Sequence, residues 1–592
     1  MSKGKNPKAK AQAESGHQPQ TRSAKPARAE KKKQKIIERE GKERDEALKR
    51  KRLLALAGII GSLFLFALIY GVRLNQMAGH PYVDDAYYAL LGKALATGHG
   101  YTLTNTPSPG IVPMYPPGFP LLLSIVFRLA PQFPQNLWLL KMVSIVAMLG
   151  AGVLTFYYFG RIRQSPWRLA FAIALITALH PALAFFATST VMSECVFTVF
   201  QLAAIISIER LIVSKDRAKW GFALIGAFLI SYTFLIRSIG VALVVGAVAY
   251  LLKERLIRPA LIFVMATAFL ISPWMIYSRS HQSTAEQRVE QRGYIIQPYT
   301  TSFWQRSAGV ADSGSISVGE LPARIWGHIA DIGGQQMGTI AQPWLLPVFG
   351  RIGMGLFSIL LSVLAVIGFV SAVREKVTFA EIVTPLSIAI ISLWPWEPIR
   401  FLLPLTPFLI FYILRGFRAI ILLARRDSKV TNPQPGFGIG WGMGILAWCF
   451  AAGIIVGNLS YIQKLDDPSS TLRREQEIFA EIEAQFQWVR EHLPSGEVFA
   501  SLNPPLVYLY TGHKTISGQN IIEDWEEWKR LGVRYLVLTS AYGVPKQDSA
   551  GARINVIYQS RRDQNVRVID LGSPSSRVPW AAPEPAATIN VK

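Results

Sequence analysis

The stretch His80–Leu122 reads HPYVDDAYYALLGKALATGHGYTLTNTPSPGIVPMYPPGFPLL and lies between the first long apolar segment and the next. It holds an adjacent carboxylate pair, Asp84 and Asp85, followed by Tyr87 and Tyr88. A short amphipathic helical pattern over Ala86–Thr97 comes next, then a break at Gly98 and Gly100, then the rigid run Tyr115-Pro116-Pro117-Gly118. Acids beside a membrane helix are costly to hold near hydrocarbon, which makes a functional role the default expectation. The structural alternative is a solvated helix N-terminus, where aspartate is favoured by capping and by the helix dipole. Spacing alone leaves both readings open.

Outward from this stretch the chain is a series of apolar runs of roughly 17 to 25 residues, the length that crosses a bilayer as a helix. The expectation is a polytopic membrane protein. Of the 592 residues 51% are hydrophobic, and the formal charge is +24. A soluble nucleic-acid binder would account for that charge, but the basic residues sit in the N-terminal tail and in short loops between apolar runs, as the positive-inside rule describes. Nucleic acid is therefore not an expected partner; the lipid bilayer is. The two cysteines, Cys195 and Cys449, both fall in apolar runs, so no disulfide framework is indicated.

Residues 1–52 hold 18 basic and 7 acidic side chains and little apolar content, the composition of a disordered cytoplasmic tail that fixes orientation. A cleavable signal peptide is not expected, because the basic region is too long and no small-residue cleavage site follows the apolar run. Leu53–Val72 reads as the first span. It leaves residues 74–136 as an extracytoplasmic loop, within which Phe119–Ala130 is too short to cross and is expected to lie at the membrane surface or re-enter it. Leu137–Gly160 then returns to Arg161, Arg163 and Arg168, which land inside only if Phe119–Ala130 does not span. The expected spans continue as Leu169–Ala187, Val191–Val213, Gly221–Leu235, Ile239–Leu252, Ala260–Tyr277, Leu346–Val373, Ile382–Trp394, Phe401–Leu414 and Gly440–Tyr461, about 11 in all. A long polar loop at 278–345 lies outside. The expected architecture is thus an all-α polytopic membrane domain over 53–461 and a small extracytoplasmic α/β domain over 462–572. In the latter, a helical pattern at Leu472–Leu493 precedes strands at Val498–Leu502 and Tyr535–Leu538 around a helix at Glu523–Leu531. Residues 573–592 read as a disordered tail.

By this topology the few polar groups at membrane depth gather on the outer face. Glu194 starts a span, Arg237 follows Leu235 in a short turn, and Glu397 and Arg400 share the turn Trp394–Arg400. Taken singly, each fits interfacial snorkelling or a local ion pair. Together with Asp84 and Asp85 they form a candidate site. Arginine at this depth suits a phosphate, because guanidinium makes paired charge-assisted hydrogen bonds. A neighbouring carboxylate suits a general base for an attacking hydroxyl or amine. The combination points to a lipid-linked phosphate donor. Asp84 and Asp85 could also hold a divalent cation, a weak signal from two acids alone. His80, His99 and His180 lack metal-ligand spacing, and no P-loop or Rossmann fingerprint follows a strand.

At these residues the chain resembles the C-type (GT-C fold) membrane glycosyltransferases. Asp84-Asp85-Ala86-Tyr87-Tyr88, Gly98-His99-Gly100-Tyr101 and Tyr115-Pro116-Pro117-Gly118-Phe119-Pro120 look like their first periplasmic loop. The likeness is to the bacterial, family 39-like branch with protein O-mannosyltransferases and the aminoarabinose transferase of lipid A. Ser193-Glu194, Leu235-Ile236-Arg237 with Gly240, and Arg400-Phe401-Leu402-Leu403-Pro404 are similar to later signatures of that fold, so the resemblance runs over roughly 53–461. It implies a GT-C-like domain that transfers a sugar from a polyprenyl-phosphate donor, usually with inversion, to an extracytoplasmic acceptor, in the bacterial inner membrane with the N-terminus cytoplasmic. It implies Asp84 as catalytic base, Asp85 supporting it or a metal, and Tyr88, Tyr115, Glu194, Arg237, Glu397 and Arg400 as substrate-binding candidates, Arg237 on the donor phosphate. Two departures stand out: Cys195 replaces the proline common after the acid, and Met114-Tyr115 stands where the aminoarabinose branch carries Glu-Lys, which counts against that donor and a lipid A acceptor. The alternative from another class is a transporter or flippase of lipid-linked sugars, which would place polar groups near the midplane of internal repeats. A non-catalytic assembly protein is a third.

Overall fold

The computed structural model describes residues 53, 57–79, 83–111, 113–291, 296–307, 314–426, 437–518, 527–539 and 555–572. The tails 1–52 and 573–592, His80, and the first four residues of the expected helix Glu523–Leu531 lie outside the described residues. The chain divides into two compact units, Met1–Leu65 and Phe66–Lys592. The described part of the first is the beginning of an apolar helix, Ala57–Arg73; the other helices and all the strands belong to the second.

Among the described residues seven helices are long and apolar enough to cross a membrane, and the bent pair Trp167–Ala178 and Pro181–Thr188 makes an eighth if counted as one. Many of their large side chains are exposed, among them Phe269, Ile352, Leu356 and Val366. A surface this apolar has no place in water, so these flanks face hydrocarbon and the protein is a multi-pass membrane protein. The remaining expected spans correspond to the shorter apolar helices Ala57–Arg73, Ser238–Lys253 and Phe379–Leu393, which fall in the 10–17 residue class together with Gly118–Leu129. The expected count of 11 therefore mixes full-length and short helices.

Two expected elements need correction. Leu169–Ala187 is not one straight helix but two, bent by 43°; Pro181 lacks an N–H and biases the residue before it away from helical backbone, and His180 there has φ −54 and ψ 122. The expected loop 278–345 is largely helical, with Ala285–Glu290, Tyr299–Trp304 and the run Leu321–Ala341. Its short helices carry charged and aromatic residues in place of a long apolar face, so hydropathy hides them.

After the helix Phe437–Asp466 comes the small α/β region. The helix Thr471–His492 starts where the Ser470 hydroxyl accepts from the Arg473 N–H at 3.1 Å. Five strands follow among the described residues: β1 Val498–Ser501, β2 Thr515–Ser517, β3 Val533–Leu538, β4 Asn555–Gln559 and β5 Arg567–Asp570. Their order is β2-β1-β3-β5-β4, with β1 parallel to β2 and β3, and β5 antiparallel to β3 and β4. The apolar faces of β1, β2, β3 and β5 meet Trp528 in a core with Ala500, Ile516, Val533, Leu536, Leu538 and Ile569. The expected strands match β1 and β3; β2 has only three residues, and β4 and β5 carry polar residues at both ends (Asn555 and Gln559, Arg567 and Asp570) that break the apolar signal.

This region docks on the first loop. Asn503 donates to the Gly79 carbonyl at 2.9 Å, Lys514 to the Thr104 carbonyl at 2.6 Å, and the Thr515 N–H to the Asn105 carbonyl at 2.6 Å. Gly79, at φ +70, is required there, because a Cβ would lie 2.7 Å from Asn503 Nδ2 and 2.8 Å from Leu506 Cδ2. The carboxylate pair is thus held between the membrane helices and the C-terminal sheet region.

Candidate active site

The helix Asp84–Ala96 begins on the two acids, whose charge complements the positive helix N-terminus. The pattern suggests an amphipathic surface helix; in the fold nearly every residue from Asp85 to Ala94 is buried. One flank meets the helix Gly118–Leu129, closely enough that a Cβ on Gly92 would lie 2.8 Å from Leu123 Cβ. Another meets the helix Pro504–Thr511 of the C-terminal α/β region. A solvated N-terminus is therefore ruled out: Asp85 is fully buried and the Asp84 side chain is 14% exposed.

The two acids have different partners. Asp84 Oδ2 accepts from both terminal nitrogens of Arg400, at 3.2 and 3.1 Å. Arg400 also donates through Nε to Glu194 Oε1 at 3.1 Å, and the same oxygen takes Arg237 Nη1 at 2.8 Å. Asp84, Arg400, Glu194 and Arg237 thus form one chain of alternating charge drawn from four segments. Glu194 is fully buried, and a buried carboxylate is tolerable only because two guanidinium groups compensate it. Arg237 donates onward to the Ser193 hydroxyl at 3.1 Å, and Ser193 to the Tyr88 hydroxyl at 3.3 Å.

Aromatic rings wall the quartet. Tyr88 stacks on Tyr115 with centroids 4.7 Å apart and meets Phe119 edge-on at 5.2 Å. The Arg237 guanidinium lies 5.0 Å from the Phe401 ring, and that of Arg400 lies 5.9 Å from Phe186. Cations over rings in a dry setting keep their charge without water. Arg237 is held where the helix Asp216–Ile236 stops and the backbone turns extended (φ −149, ψ 131) into the turn Ser238–Gly240. Gly240 is needed there, since a Cβ would meet the Phe234 backbone at 2.7 Å.

Asp85 belongs to a separate arrangement. Its Oδ1 accepts from the Gly79 N–H at 2.8 Å, and burial pushes its carboxyl up to about 7 despite that bond and the nearby Lys141. Lys141, also buried, donates to the Asn75 carbonyl at 2.7 Å and to its side-chain oxygen at 3.0 Å. The donor set does not fit a divalent cation: Asp84 is bound by a guanidinium, Asp85 answers a backbone N–H, and among the described residues no group of three His, Cys, Asp or Glu gathers.

Of the sequence candidates, Asp84, Glu194, Arg237 and Arg400 meet directly, and Tyr88 and Tyr115 join them through Ser193 and ring contact. Glu397 is exposed, and no contact among the described residues ties it to the quartet. Ser193 and Phe401 take part without having been singled out for it. Lys141, the one charge in its apolar run, is a signal that intramembrane charge could have supplied. The expectation that polar groups gather at one face needs correction too. A second buried network lies at the other helix ends, where Arg163 pairs with Glu381 at 3.0 Å and Tyr158 donates to Glu209 at 3.0 Å.

The fold as a whole, long spanning helices with a helical loop region and a small C-terminal sheet, is the GT-C fold. It is similar to two crystal structures of ArnT from Cupriavidus metallidurans, one bound to undecaprenyl phosphate and one in the apo state. Each has a TM-score of 0.51 and 13% identity, covering 89% and 87% of this chain and 99% and 98% of theirs. The archaeal oligosaccharyltransferase AglB from Archaeoglobus fulgidus is similar at a TM-score of 0.48 and 12% identity, over 80% of this chain and 69% of that one. At 13% identity the likeness to ArnT is one of fold. No family model and no curated protein matches the chain.

Proposed function

We propose that this protein is a membrane glycosyltransferase that moves a sugar from a polyprenyl-phosphate donor to an extracytoplasmic acceptor. The proposal includes an orientation set by the basic loops, with the N-terminus cytoplasmic and the outer domain outside, in a bacterial inner membrane. The observation that carries it is the quartet Asp84–Arg400–Glu194–Arg237 in a GT-C fold whose neighbour ArnT was crystallised with undecaprenyl phosphate.

In this reading the acceptor hydroxyl gives its proton to the Asp84 carboxylate as its oxygen attacks the anomeric carbon. The bond from that carbon to the phosphate oxygen breaks, and the electron pair leaves with the phosphate. Arg237 and Arg400 receive the phosphate charge, which is why two guanidinium groups converge on one acid. Glu194 acts as a positioning residue: it holds both guanidinium groups in place before the donor arrives. Tyr88 and Tyr115 supply a flat apolar wall of the kind that sugar rings pack against. The shared hydrogen-bond path through Ser193 keeps Tyr88 in register with Arg237.

The test is sugar transfer from polyprenyl-phosphate donors by the purified full chain in detergent, wild type beside Asp84→Asn. Loss of a general base predicts a drop of about 10² to 10⁴-fold with an unchanged melting temperature. Transfer retained by a folded Asp84→Asn would remove Asp84 from the chemistry. No transfer by the wild type across a broad donor and acceptor set would favour a flippase.

A further inference from the structure

The helix Glu194–Val213 carries the proposed site at its first residue and, about 24 Å further along its axis, borders a cavity with Glu209, Arg210 and its last residues. That cavity has a volume of about 620 Å³, well within the range of built ligand sites. Six basic side chains line it, Arg161, Arg163, Arg210, Lys376, Arg415 and Arg418, against two acids, Glu209 and Glu375.

Three of these six cations are already occupied. Arg163 serves Glu381 and Thr378, Arg210 bonds the Tyr157 hydroxyl, and Arg415 serves Ser371 and Glu375. Arg161 and Arg418 are different: both are exposed, and neither makes a hydrogen bond or a contact ion pair among the described residues, Arg418 acting on Glu375 only through longer-range attraction. The excess of positive charge is therefore concentrated where it is free to meet an anion. The rest of the wall mixes polar Gln164, Ser165 and Thr378 with apolar Ile162, Phe411, Leu414 and Met443.

The backbone here is also unusual. Tyr158–Ile162 winds as a π-helix at the end of its span, and Gln164 has φ 51, a conformation that residues other than glycine seldom adopt. Together they turn the chain so that Arg161 and Gln164 border the cavity. Such departures persist where surrounding structure holds them, and they cluster at binding sites.

We infer that this cavity is a phosphate-binding site, filled in the membrane by the headgroup of an anionic phospholipid. A basic pocket between spanning helices, at the end where the basic loops lie, has the charge for the phosphodiester and apolar side chains for the start of the acyl chains. The site is independent of sugar transfer and stands or falls separately from it.

The experiment is binding of phosphatidylglycerol to the full chain in detergent, read by native mass spectrometry and by the shift in melting temperature. Phosphatidylcholine and inorganic phosphate are the control ligands. Arg161→Gln with Arg418→Gln is the test variant; Arg128→Gln, an exposed arginine elsewhere, controls for the general loss of charge. The expected result is binding of phosphatidylglycerol by the wild type and by Arg128→Gln. It should weaken by about fivefold per cavity arginine, so about 25-fold in the double variant. Neither cavity arginine is paired among the described residues, so the double variant keeps the melting temperature of the lipid-free wild type. Equal phosphatidylglycerol binding by wild type and double variant overturns the site. Inorganic phosphate protecting as well as the lipid, and losing that protection in the double variant, upholds the phosphate site and overturns the lipid as its source. Phosphatidylcholine matching phosphatidylglycerol overturns the role of charge.

Discussion

At the scale of single residues the quartet is a study in compensation. Glu194 is buried under two guanidinium groups, so replacing it by alanine leaves two cations in a dry setting with one carboxylate between them. Glu194→Ala is expected to cost about 3–5 kcal/mol, because it leaves buried charge unmatched, where Asp84→Asn costs little. Denaturant or thermal unfolding of the two variants separates the roles proposed for them, Asp84 in chemistry and Glu194 in position. Asp85 offers a pH test. Its carboxyl titrates near 7 in the fold against an ordinary value of 3.8. An acid raised in this way binds its proton more tightly when folded, so its contribution to stability is complete below the unfolded value and lost as pH rises through about 7. Relative to Asp85→Asn, which stays neutral, the wild type should therefore lose stability between pH 5 and pH 8. A difference in melting temperature between the two that does not change over that range would mean that Asp85 stays ionised throughout.

At the scale of elements, helix contact depends on a few small residues. The helices Leu346–Glu375 and Thr406–Arg426 cross where Gly368 and Gly416 face each other. A Cβ on Gly368 would collide with the Tyr412 carbonyl and one on Gly416 with the Leu364 carbonyl. In a bilayer, where hydrophobicity does not drive helices together, such close approach is what holds them. Gly368→Val should force the pair apart and lower the melting temperature in detergent, costing about 1–3 kcal/mol or more; Gly442→Val, where no atom lies within 4 Å of the added Cβ, should leave it unchanged. Gly118 plays the same part nearer the site: a Cβ there would lie 2.7 Å from the Leu235 backbone, two residues before Arg237.

At the scale of the whole molecule, the C-terminal α/β region and the first loop form one support for the site. Asn105 links them: its amide donates to the Thr515 carbonyl at 3.1 Å and accepts from Gln291 at 3.3 Å, fully buried. Asn105→Ala leaves those partners unsatisfied, at about 1–3 kcal/mol, and should raise hydrogen exchange across both 99–111 and 513–518; exchange rising in one segment alone would mean that they are not coupled. Much of this protein was legible in the chain itself. Apolar run length shows a multi-pass membrane protein, the asymmetry of basic loops suggests an orientation, and Asp84, Glu194, Arg237 and Arg400 stand out because a charge near hydrocarbon needs a reason. Tertiary structure alone decided how they combine. Which acid meets Arg400, that Glu194 holds two cations at once, that Asp85 turns away to Gly79, and that Glu397 stays exposed all depend on helices distant in sequence closing together. Periodicity carries the direction of a side chain relative to its own helix; a contact between Asp84 and Arg400, 316 residues apart, exists only once the helices have packed.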